Sequence, residues 1–322
     1  MKDAVVDAVV IGRNEGGRLA ACLASLQGRV RRIVYVDSGS ADGSPDLACA
    51  AGAEVVALDM GRPFTAARAR NAGLALLAAD PPDLVQMVDG DCALDAGWLP
   101  AALAGFAAHP RAVVVCGRRR ERFPGASVYN RLCDAEWDTP VGPALACGGD
   151  ALMRFGAVMA AGGYRDDLIA GEEPELCLRL RRAGGQVWRL DAEMTLHDAG
   201  LTRFGQWWRR SRRAGHAFAE GAALHGRGPE RHWVAETRRA LLWGAGVPLL
   251  ALAAGMVHPA GVLVLMVWPA QVVRLALRDG GRGFAWTAAG FSVLGKLAEA
   301  KGVLGYGLGR LRRRRAGIIE YR

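Results

Sequence analysis

The sequence lacks the cysteine and glycine patterns that mark several common kinds of site. Its seven cysteines are odd in number and scattered, without C-x-x-C spacing, so they indicate neither a disulfide scaffold nor a zinc site. They are typical of small buried side chains in a reducing compartment. Gly12, Gly16 and Gly17 do not form the G-x-G-x-x-G turn of a Rossmann fold. Asp7 interrupts the first apolar run, which argues against a secretory signal peptide.

Aromatic residues make up only 7% of the chain, and they do not alternate with basic residues. They lie within or beside apolar segments, as at Trp207, Trp208 and Trp243. The formal charge of +9 comes with arginine runs in the second half, such as Arg312 to Arg315. Such charge is typical of proteins that bind nucleic acid or an anionic membrane. Because the aromatic pattern does not fit a nucleic-acid interface, we predict a membrane partner and no nucleic acid.

From residue 7 to about 120, very apolar runs alternate with amphipathic helical segments, a pattern typical of an α/β fold. Strands this apolar are expected in a parallel sheet that helices cover on both faces. The predicted strands are residues 8–12, 32–37, 54–59, 84–91 and 112–117. The predicted helices are residues 16–28, 44–52, 65–79 and 96–108.

Polar residues follow three of these strands where each one ends. Asn14 and Glu15 follow the first strand, Asp37 ends the second, and Asp89 and Asp91 end the fourth in the sequence QMVDGD. The carboxyl ends of parallel strands share one edge, so we expect these residues to line one pocket. Two carboxylates beside an apolar sheet need a cation, and oxygen ligands select Mg²⁺ or Mn²⁺. The pattern predicts a metal and diphosphate site, although Asp-Gly-Asp is also common in ordinary turns.

Two apolar runs without charged side chains cover residues 240–257 and 260–273, with His258–Pro259 between them. The first run is at the short end of the about 17 to 25 residues of a membrane span and the second is below it, and together they suit a short helical hairpin. Basic residues flank both ends and the turn has none, which predicts that both ends face the cytoplasm. A buried hairpin in a soluble helical bundle is the alternative.

The remaining segments predict helices at the membrane surface. Residues 284–309 are apolar but contain Lys296, Glu299 and Lys301, which are costly at a bilayer centre. We therefore expect an interfacial or re-entrant helix, followed by arginines, from Arg310 to Arg315, on anionic headgroups. The predicted parts are a catalytic domain at 1–200, an amphipathic interfacial segment at 201–237 and membrane-associated helices with a basic tail at 238–322.

Five segments, in this order along the chain, resemble the large inverting family-2 glycosyltransferases with a GT-A fold. They are VVIGRNEGGRLAACLASL, VYVDSGSADGS, VQMVDGDCALDAGWL, ACGGDALMRFGAVMAAGGY and AGEEPELCLRLRRAG, and the resemblance covers roughly residues 5 to 215. In the family these are the nucleotide-binding strand and helix, the uracil-contacting turn, the D-x-D region, the acceptor-side loop and the helix that bears the catalytic base. The resemblance implies a GT-A-like, mostly parallel sheet.

The resemblance also implies which residues hold the donor. The nucleotide-binding candidates are Asn14, Glu15, Asp37, Ser38, Arg68, Asn71 and Asp89. Asp37 would accept a hydrogen bond from the base, although a cap on the SGSADGS turn is an equal alternative. Arg68 and Asn71 would touch phosphate or base, or lie on a solvated helix face. The metal candidates are Asp89, Asp91 and His197, although a lone histidine is more often structural; the metal would act as a Lewis acid on the leaving diphosphate.

Direct displacement at a sugar carbon needs a general base for the acceptor hydroxyl, and Glu172 and Glu173 are the candidates. They precede Pro174, which fits a helix start, and adjacent carboxylates can raise one pKa. Glu173 matches the base position, which is more often Asp in the family, and the choice between the two stays open. The alternative is charge that complements the helix dipole.

Two further groups are candidates for contact with the donor sugar or the acceptor: Gly148, Gly149 and Asp150, and Gln206, Arg209 and Arg210. The second group resembles the Q-x-x-R-W segment of processive synthases, but Arg210 replaces the final Trp, which argues against processive synthesis. An amphipathic interfacial helix is an equal interpretation.

The sequence therefore predicts a metal-dependent, inverting glycosyltransferase at the cytoplasmic membrane, with its catalytic domain facing the cytoplasm. It would use a nucleotide-sugar donor, expected to be a UDP-sugar, and a lipid-linked or saccharide acceptor. One alternative is a non-catalytic membrane scaffold that keeps a nucleotide-binding domain. Another is a nucleotidyltransferase, for which IGRNEGGR is a poor phosphate-binding loop.

Overall fold

The chain divides into two compact units, Met1–Thr202 and Arg203–Arg322. The computed structural model describes residues 4–312, 317 and 319. In the first unit the strands of the described residues are β1 (Val6–Gly12), β2 (Ile33–Asp37), β3 (Glu54–Ala57), β4 (Leu84–Asp89), β5 (Cys92–Leu94), β6 (Ala112–Glu121), β7 (Gly142–Ala144), β8 (Ala151–Arg154) and β9 (Gln186–His197). Its helices are α1 (Gly17–Leu26), α2 (Ser44–Ala50), α3 (Ala66–Leu77), α4 (Trp98–Ala108), α5 (Val128–Glu136), α6 (Phe155–Ala160) and α7 (Glu172–Arg182).

The strands form one mixed sheet in the order β3-β2-β1-β4-β8-β6-β9-β5, and β7 pairs with β9. The four strands β1 to β4 are parallel to one another, as their apolar runs predict. Beyond them the sheet is mixed, because β8 pairs antiparallel with both β4 and β6, whereas β6 pairs parallel with β9. The chain enters β8 at Asp150, whose carboxylate accepts from the backbone N–H of Asp89 at the end of β4. A strand that starts where its neighbour ends must run in the opposite direction.

The core lies between this sheet and its helices. In β1, the run from Val6 to Ile11 is buried, and α1 turns Leu19, Leu23 and Leu26 toward it at helical spacing. Gly73 lets α3 approach closely, since a Cβ there would collide with Val9. The packing brings the ends of β1, β2 and β4 to one edge of the sheet.

The second unit is helical. Its elements are α8 (Phe204–His225), α9 (Val234–Leu241), a π-helical turn (Leu242–Gly246), α10 (Val247–Val257), a 3₁₀ segment (Pro259–Met266), α11 (Val267–Arg278) and α12 (Phe284–Leu311). Two continuous helical runs, Val234–Val257 and Pro259–Arg278, are long and apolar enough to cross a membrane, with mean hydropathies of 1.9 and 1.8. The predicted pair of apolar C-terminal helices is thus confirmed.

These helices keep most of their apolar surface exposed. Leu249, Leu252 and Val257 are 64%, 62% and 89% exposed, so the pair does not form the core of a soluble bundle within the described residues. In α12, Lys296 pairs with Glu299 at 2.7 Å, and the interfacial position of this helix stays a prediction. The predicted contact of Arg313 to Arg315 with headgroups concerns residues outside the described part of the chain.

Candidate active site

Asp89, at the end of β4, lies between Arg70, which is buried, and Arg119, which is half-buried. Its Oδ1 is 2.8 Å from Nη2 of Arg70 on α3, and its Oδ2 is 3.1 Å from Nη2 of Arg119 on β6. Burial opposes ionisation of this carboxyl, but the two guanidinium groups outweigh it and hold the pKa of Asp89 below its ordinary value. The negative charge of Asp89 is therefore balanced by the protein itself.

Arg70 also joins Asp89 to the two glutamates at the start of α7. Its Nη1 is 2.8 Å from Oε1 of Glu172 and 2.9 Å from Oε1 of Glu173. Burial and the neighbouring Glu172 carboxylate raise the pKa of Glu173 to about 7, although Arg70 acts in the other direction. Asp89 of the predicted D-x-D region and the two candidate general bases, Glu172 and Glu173, thus meet in one cluster around Arg70.

The start of α7 differs slightly from the prediction. The helix begins at Glu172 after Gly171, which adopts a left-handed conformation at φ 82°. Pro174 is therefore the third helical residue, where its missing N–H still costs no helical hydrogen bond. Both glutamates lie in the first turn, so the predicted complement to the helix dipole is present as well.

The loop before β8 supports Asp89 and Arg119. Asp150 is fully buried, and its Oδ2 accepts from Nε of Arg119 at 2.9 Å and from the hydroxyl of Thr195 at 2.7 Å. Gly149 is required for close approach, since a Cβ there would collide with the Asp89 carboxylate and meet Arg70. Gly148 differs, because a Cβ at that position would have nothing within 4 Å. Gly149 and Asp150 therefore lie inside the cluster, and Gly148 lies at its open side.

Asp91 and His197 form a second pair beside this cluster. Antiparallel pairing of β5 with β9 sets Cys92 opposite His197, and Nε2 of His197 is 3.1 Å from Oδ2 of Asp91. Ligand atoms of Asp91, Cys92 and His197 lie within 4.8 Å of one another. On its other side, Nδ1 of His197 is 3.9 Å from a carboxylate oxygen of Glu121.

The ligand atoms that Asp91 and His197 offer fit a divalent cation. Burial, and then nearby acids such as Asp150, raise the pKa of the Cys92 thiol, which leaves it protonated and a poor ligand. A carboxylate and an imidazole remain, and the nearest Glu121 oxygen lies 3.9 Å from Nδ1 of this imidazole, beyond hydrogen-bond distance. Asp91 and His197 are therefore the residues that could hold Mg²⁺ or Mn²⁺, whereas both Asp89 oxygens already face arginines.

The nucleotide-binding candidates Asn14 and Asp37 stabilise the loops that follow β1 and β2. Both oxygens of Asp37 are used: Oδ1 accepts from the Tyr35 hydroxyl at 3.0 Å, and Oδ2 accepts from the backbone N–H groups of Gly39 and Ser40. The alternative of a turn cap is therefore realised at Asp37. The side chain of Asn14 accepts from Ala41 N–H at 2.7 Å.

The other two residues of this edge differ in their contacts. Ser38 is buried, and its hydroxyl has no hydrogen-bond partner among the described residues. Glu15 pairs with Arg18 at 2.8 Å. A buried hydroxyl without a protein partner is free to form a hydrogen bond with a ligand.

The two candidates on α3 bind backbone groups of neighbouring loops. Arg68 is buried and donates to the carbonyl oxygens of Asp59, Arg62 and Pro63. Asn71 exchanges hydrogen bonds with the backbone of Tyr164. Both side chains therefore anchor loops next to the cluster.

The second group of candidates for acceptor contact, Gln206, Arg209 and Arg210, lies on α8 in the second unit. Gln206 accepts from the backbone N–H of Arg203 at 2.9 Å, close to the start of the helix, and Arg209 is exposed. Trp207 packs against Phe291 of α12 with ring centroids 4.9 Å apart. The amphipathic-helix interpretation fits these contacts, and a role for Gln206, Arg209 and Arg210 in binding stays a prediction.

Sequence reasoning missed Arg70 and Arg119, the two cations that organise the cluster. A signal existed for Arg70, because it falls on the buried face of α3 with Ala67, Leu74 and Leu77. A charged residue on an apolar helix face usually has a buried partner. Arg119 stands within the run Arg118 to Arg120, where no local pattern separates it from its neighbours.

Comparison with known proteins agrees with this architecture. The fold is similar to that of the mannosyltransferase PcManGT from Pyrobaculum calidifontis, solved in complex with GDP-Man and Mn²⁺, with a TM-score of 0.65, 20% identity, and coverage of 94% of this chain and 87% of that one. It is also similar to S. aureus TarS 1-349, with a TM-score of 0.52, 13% identity and coverage of 94% and 92%. The first unit has the GT-A fold, as predicted.

The sequence is similar to known proteins over part of its length. The chain matches the model of glycosyl transferase family 2 over residues 7–139. It is also 27% identical over 232 residues to the pre-mycofactocin glycosyltransferase of Mycobacterium tuberculosis, covering 68% of this chain and 48% of that protein. The chain thus spans about half the length of the curated relatives it matches.

Proposed function

We propose that the chain is a glycosyltransferase that transfers a sugar from a nucleotide-sugar donor to an acceptor hydroxyl with inversion. The observation that carries this proposal is the contact of Arg70 with both Asp89 and Glu173. Arg70 thus holds Asp89, from the region predicted to bind diphosphate, and Glu173, a candidate proton acceptor, in one cluster. Inverting displacement needs both at once, because the leaving group departs as the acceptor loses its proton.

Glu173 is the proposed general base. Its pKa of about 7 lets it accept a proton at neutral pH, where an ordinary glutamate would be a weaker base. Its side chain is 14% exposed, whereas that of Glu172 is 4% exposed, so an acceptor has better access to Glu173. Glu172 then acts on the base, by keeping its pKa high.

Asp91 and His197 are proposed to hold a divalent cation, Mg²⁺ or Mn²⁺. Such an ion neutralises the charge that develops on a leaving diphosphate. The structurally similar PcManGT was solved with Mn²⁺, which supports a cation at this fold's site. Asp89, held by its two arginines, would fix the position of Arg70 and Arg119 next to the phosphates.

A UDP-sugar is the proposed donor. The nucleotide would lie along the edge formed by Asn14, Glu15, Asp37 and Ser38, where the Ser38 hydroxyl supports the idea because it lacks a partner among the described residues. Arg68 and Asn71 would shape this pocket through the loops they anchor. Solved structures of similar fold contain GDP-Man in one case and UDP-GlcNAc in another.

We further propose that the enzyme works at the cytoplasmic membrane, with residues 1–200 as the catalytic domain facing the cytoplasm. The exposed apolar helices support this location, because they are long enough to enter a bilayer. Residues 201–237 would lie at the interface and residues 238–322 in or on the membrane. The acceptor would be lipid-linked or a saccharide. In the first unit Gly148 is the candidate for contact with it, and in the second unit Gln206, Arg209 and Arg210 on α8 are separate candidates.

The decisive experiment uses the full chain in a neutral detergent. A thermal-shift panel of UDP-, GDP-, dTDP- and CDP-sugars, with and without Mn²⁺, identifies the donor, since a hundredfold excess over Kd stabilises by about 2.7 kcal/mol. Turnover is then followed as release of nucleoside diphosphate, and the anomeric configuration of the product is read by NMR. Release of pyrophosphate would favour a nucleotidyltransferase, and donor binding without turnover would favour a scaffold. A retained anomeric configuration would contradict the proposed role of Glu173.

A further inference from the structure

A cavity of about 450 Å³ lies within the second unit, at the end of the two apolar helical runs that is remote from His258. Three helical segments line it. The first run contributes Arg239 and Trp243, α11 contributes Arg274 and Arg278, and α12 contributes Lys296. The cavity is therefore built from residues far apart in sequence and next to exposed apolar surface.

The charge of this cavity has one sign. Four cationic side chains line it, and no aspartate or glutamate of the described part of the chain does so. Arg274 and Arg278 are four residues apart on one helix, and like charges at that spacing destabilise a helix. Three of the four cations pair with carboxylates outside the lining: Arg239 with Glu236, Arg278 with Asp279 and Lys296 with Glu299. Arg274 instead donates to the neutral amide of Gln271 at 3.4 Å. An anion in the cavity would relieve this repulsion.

Backbone packing holds two of the lining residues in place. Trp243 lies in the π-helical turn, and π-helical turns are frequent at functional sites. The next residue, Gly244, contacts the backbone of Lys296 so closely that a Cβ would collide with its carbonyl group. Trp243 and Lys296 are thus fixed relative to each other on one cavity wall. Lys296, one of the charged residues within the apolar pattern of α12, pairs with Glu299 and also lines the cavity.

We propose that this cavity binds the phosphate of a membrane lipid whose headgroup carries a net negative charge. Arg239, Arg274, Arg278 and Lys296 would surround the phosphate, and Trp243 would lie where the headgroup meets the lipid chain. Guanidinium groups match phosphate oxygens in geometry, and basic pockets between membrane helices bind anionic headgroups. The inference rests on the membrane location proposed above and does not depend on transfer activity.

Two matched double variants test the proposal. Arg239→Gln with Arg274→Gln removes two cavity arginines, and Arg238→Gln with Arg282→Gln removes two arginines outside it. Each pair removes one charge from residues 238–239, near the start of the first run, and one from residues 274–282, at or just after the end of the second. The full chain in neutral detergent is titrated with phosphatidylglycerol, farnesyl phosphate and phosphatidylcholine, and bound lipid is counted by native mass spectrometry. We expect the cavity pair to weaken binding of the anionic lipids roughly tenfold or more and the outer pair to weaken it less than about twofold.

The lipid arms distinguish the source of the phosphate: preference for phosphatidylglycerol indicates a bilayer lipid, and preference for farnesyl phosphate indicates an isoprenyl carrier. Equal weakening by both pairs, or equal binding of phosphatidylcholine, overturns the proposal. Arg274→Lys keeps the charge and should keep binding, which guards against a folding defect in the double variant. Flotation of the wild-type chain with phosphatidylglycerol vesicles is a separate test. Its failure contradicts the membrane location, whereas a failed comparison of variants contradicts only the cavity.

Discussion

The ionised form of Glu173 costs the folded protein stability, and Glu173→Gln should remove that cost. In the folded protein its pKa rises from 4.5 to about 7, chiefly through burial and the nearby Glu172. The folded state therefore holds this proton more tightly than the unfolded chain does. Stability falls as pH rises from about 4.5 to about 7, because folding then requires an unfavourable ionised group. A rise of this size corresponds to roughly 3 kcal/mol.

Glutamine has the shape of glutamate, still offers an oxygen to Arg70, and carries no charge. We expect Glu173→Gln to be more stable than the wild type by up to roughly 3 kcal/mol near pH 8, with no gain near pH 4.5. Thermal unfolding of the full chain in detergent should show this as a higher Tm, by about 2–4 °C for each kcal/mol. The same variant should lose transfer, since it removes the proposed base.

Glu193→Gln is the matched control. Glu193 is 48% exposed and pairs with Arg120 at 2.7 Å, and such surface pairs contribute at most about 1 kcal/mol. The control should therefore change neither Tm nor turnover by much at either pH. The reasoning fails if Glu173→Gln is no more stable than the wild type near pH 8, or if its gain is the same at both pH values. Retained transfer by Glu173→Gln would refute the base assignment alone.

Three further predictions concern the same cluster. Asp91→Ala should abolish donor turnover and Mn²⁺-dependent stabilisation while leaving the circular dichroism spectrum unchanged; near-normal transfer would show that Asp91 holds no metal. Arg70→Met should destabilise the protein by about 3–5 kcal/mol in urea unfolding, because it leaves buried carboxylates without their cation, and an unchanged midpoint would contradict this. Gly149→Ala should lower turnover and stability together, whereas Gly148→Ala should leave stability within about 0.5 kcal/mol; equal effects at the two positions would count against the packing argument.

The sequence predicts the first half of the sheet well, because β1, β2 and β4 are continuous apolar runs that end in polar residues. Predicted helix bounds of 16–28 and 65–79 become Gly17–Leu26 and Ala66–Leu77. Strands β7 and β8 have only three and four residues, so their apolar pattern is too short to fix direction or partner. The antiparallel insertion of β8 follows from tertiary contacts, which no local pattern contains.

The candidate site, too, could be predicted from the sequence only in part. Asp89, Glu172 and Glu173 are recognisable because acids at a strand end or a helix start are conspicuous in sequence. The arginines that join them come from α3 and β6, and only folding brings Arg70 and Arg119 to the same carboxylate. The loop-anchoring roles of Arg68 and Asn71 likewise depend on partners that local patterns do not reveal: loop 59–63 for Arg68 and the backbone of Tyr164, more than ninety residues away, for Asn71.

The two arginines around Asp89 must balance four carboxylates, those of Asp89, Asp150, Glu172 and Glu173. The resting cluster therefore has surplus negative charge, and Glu173 is the member that a proton can neutralise near pH 7. A divalent ion held by Asp91 and His197, beside this cluster, would compete with that proton. Cation uptake should accordingly expel hydrogen ions into the buffer, and the ion's apparent affinity should grow as the medium becomes more alkaline.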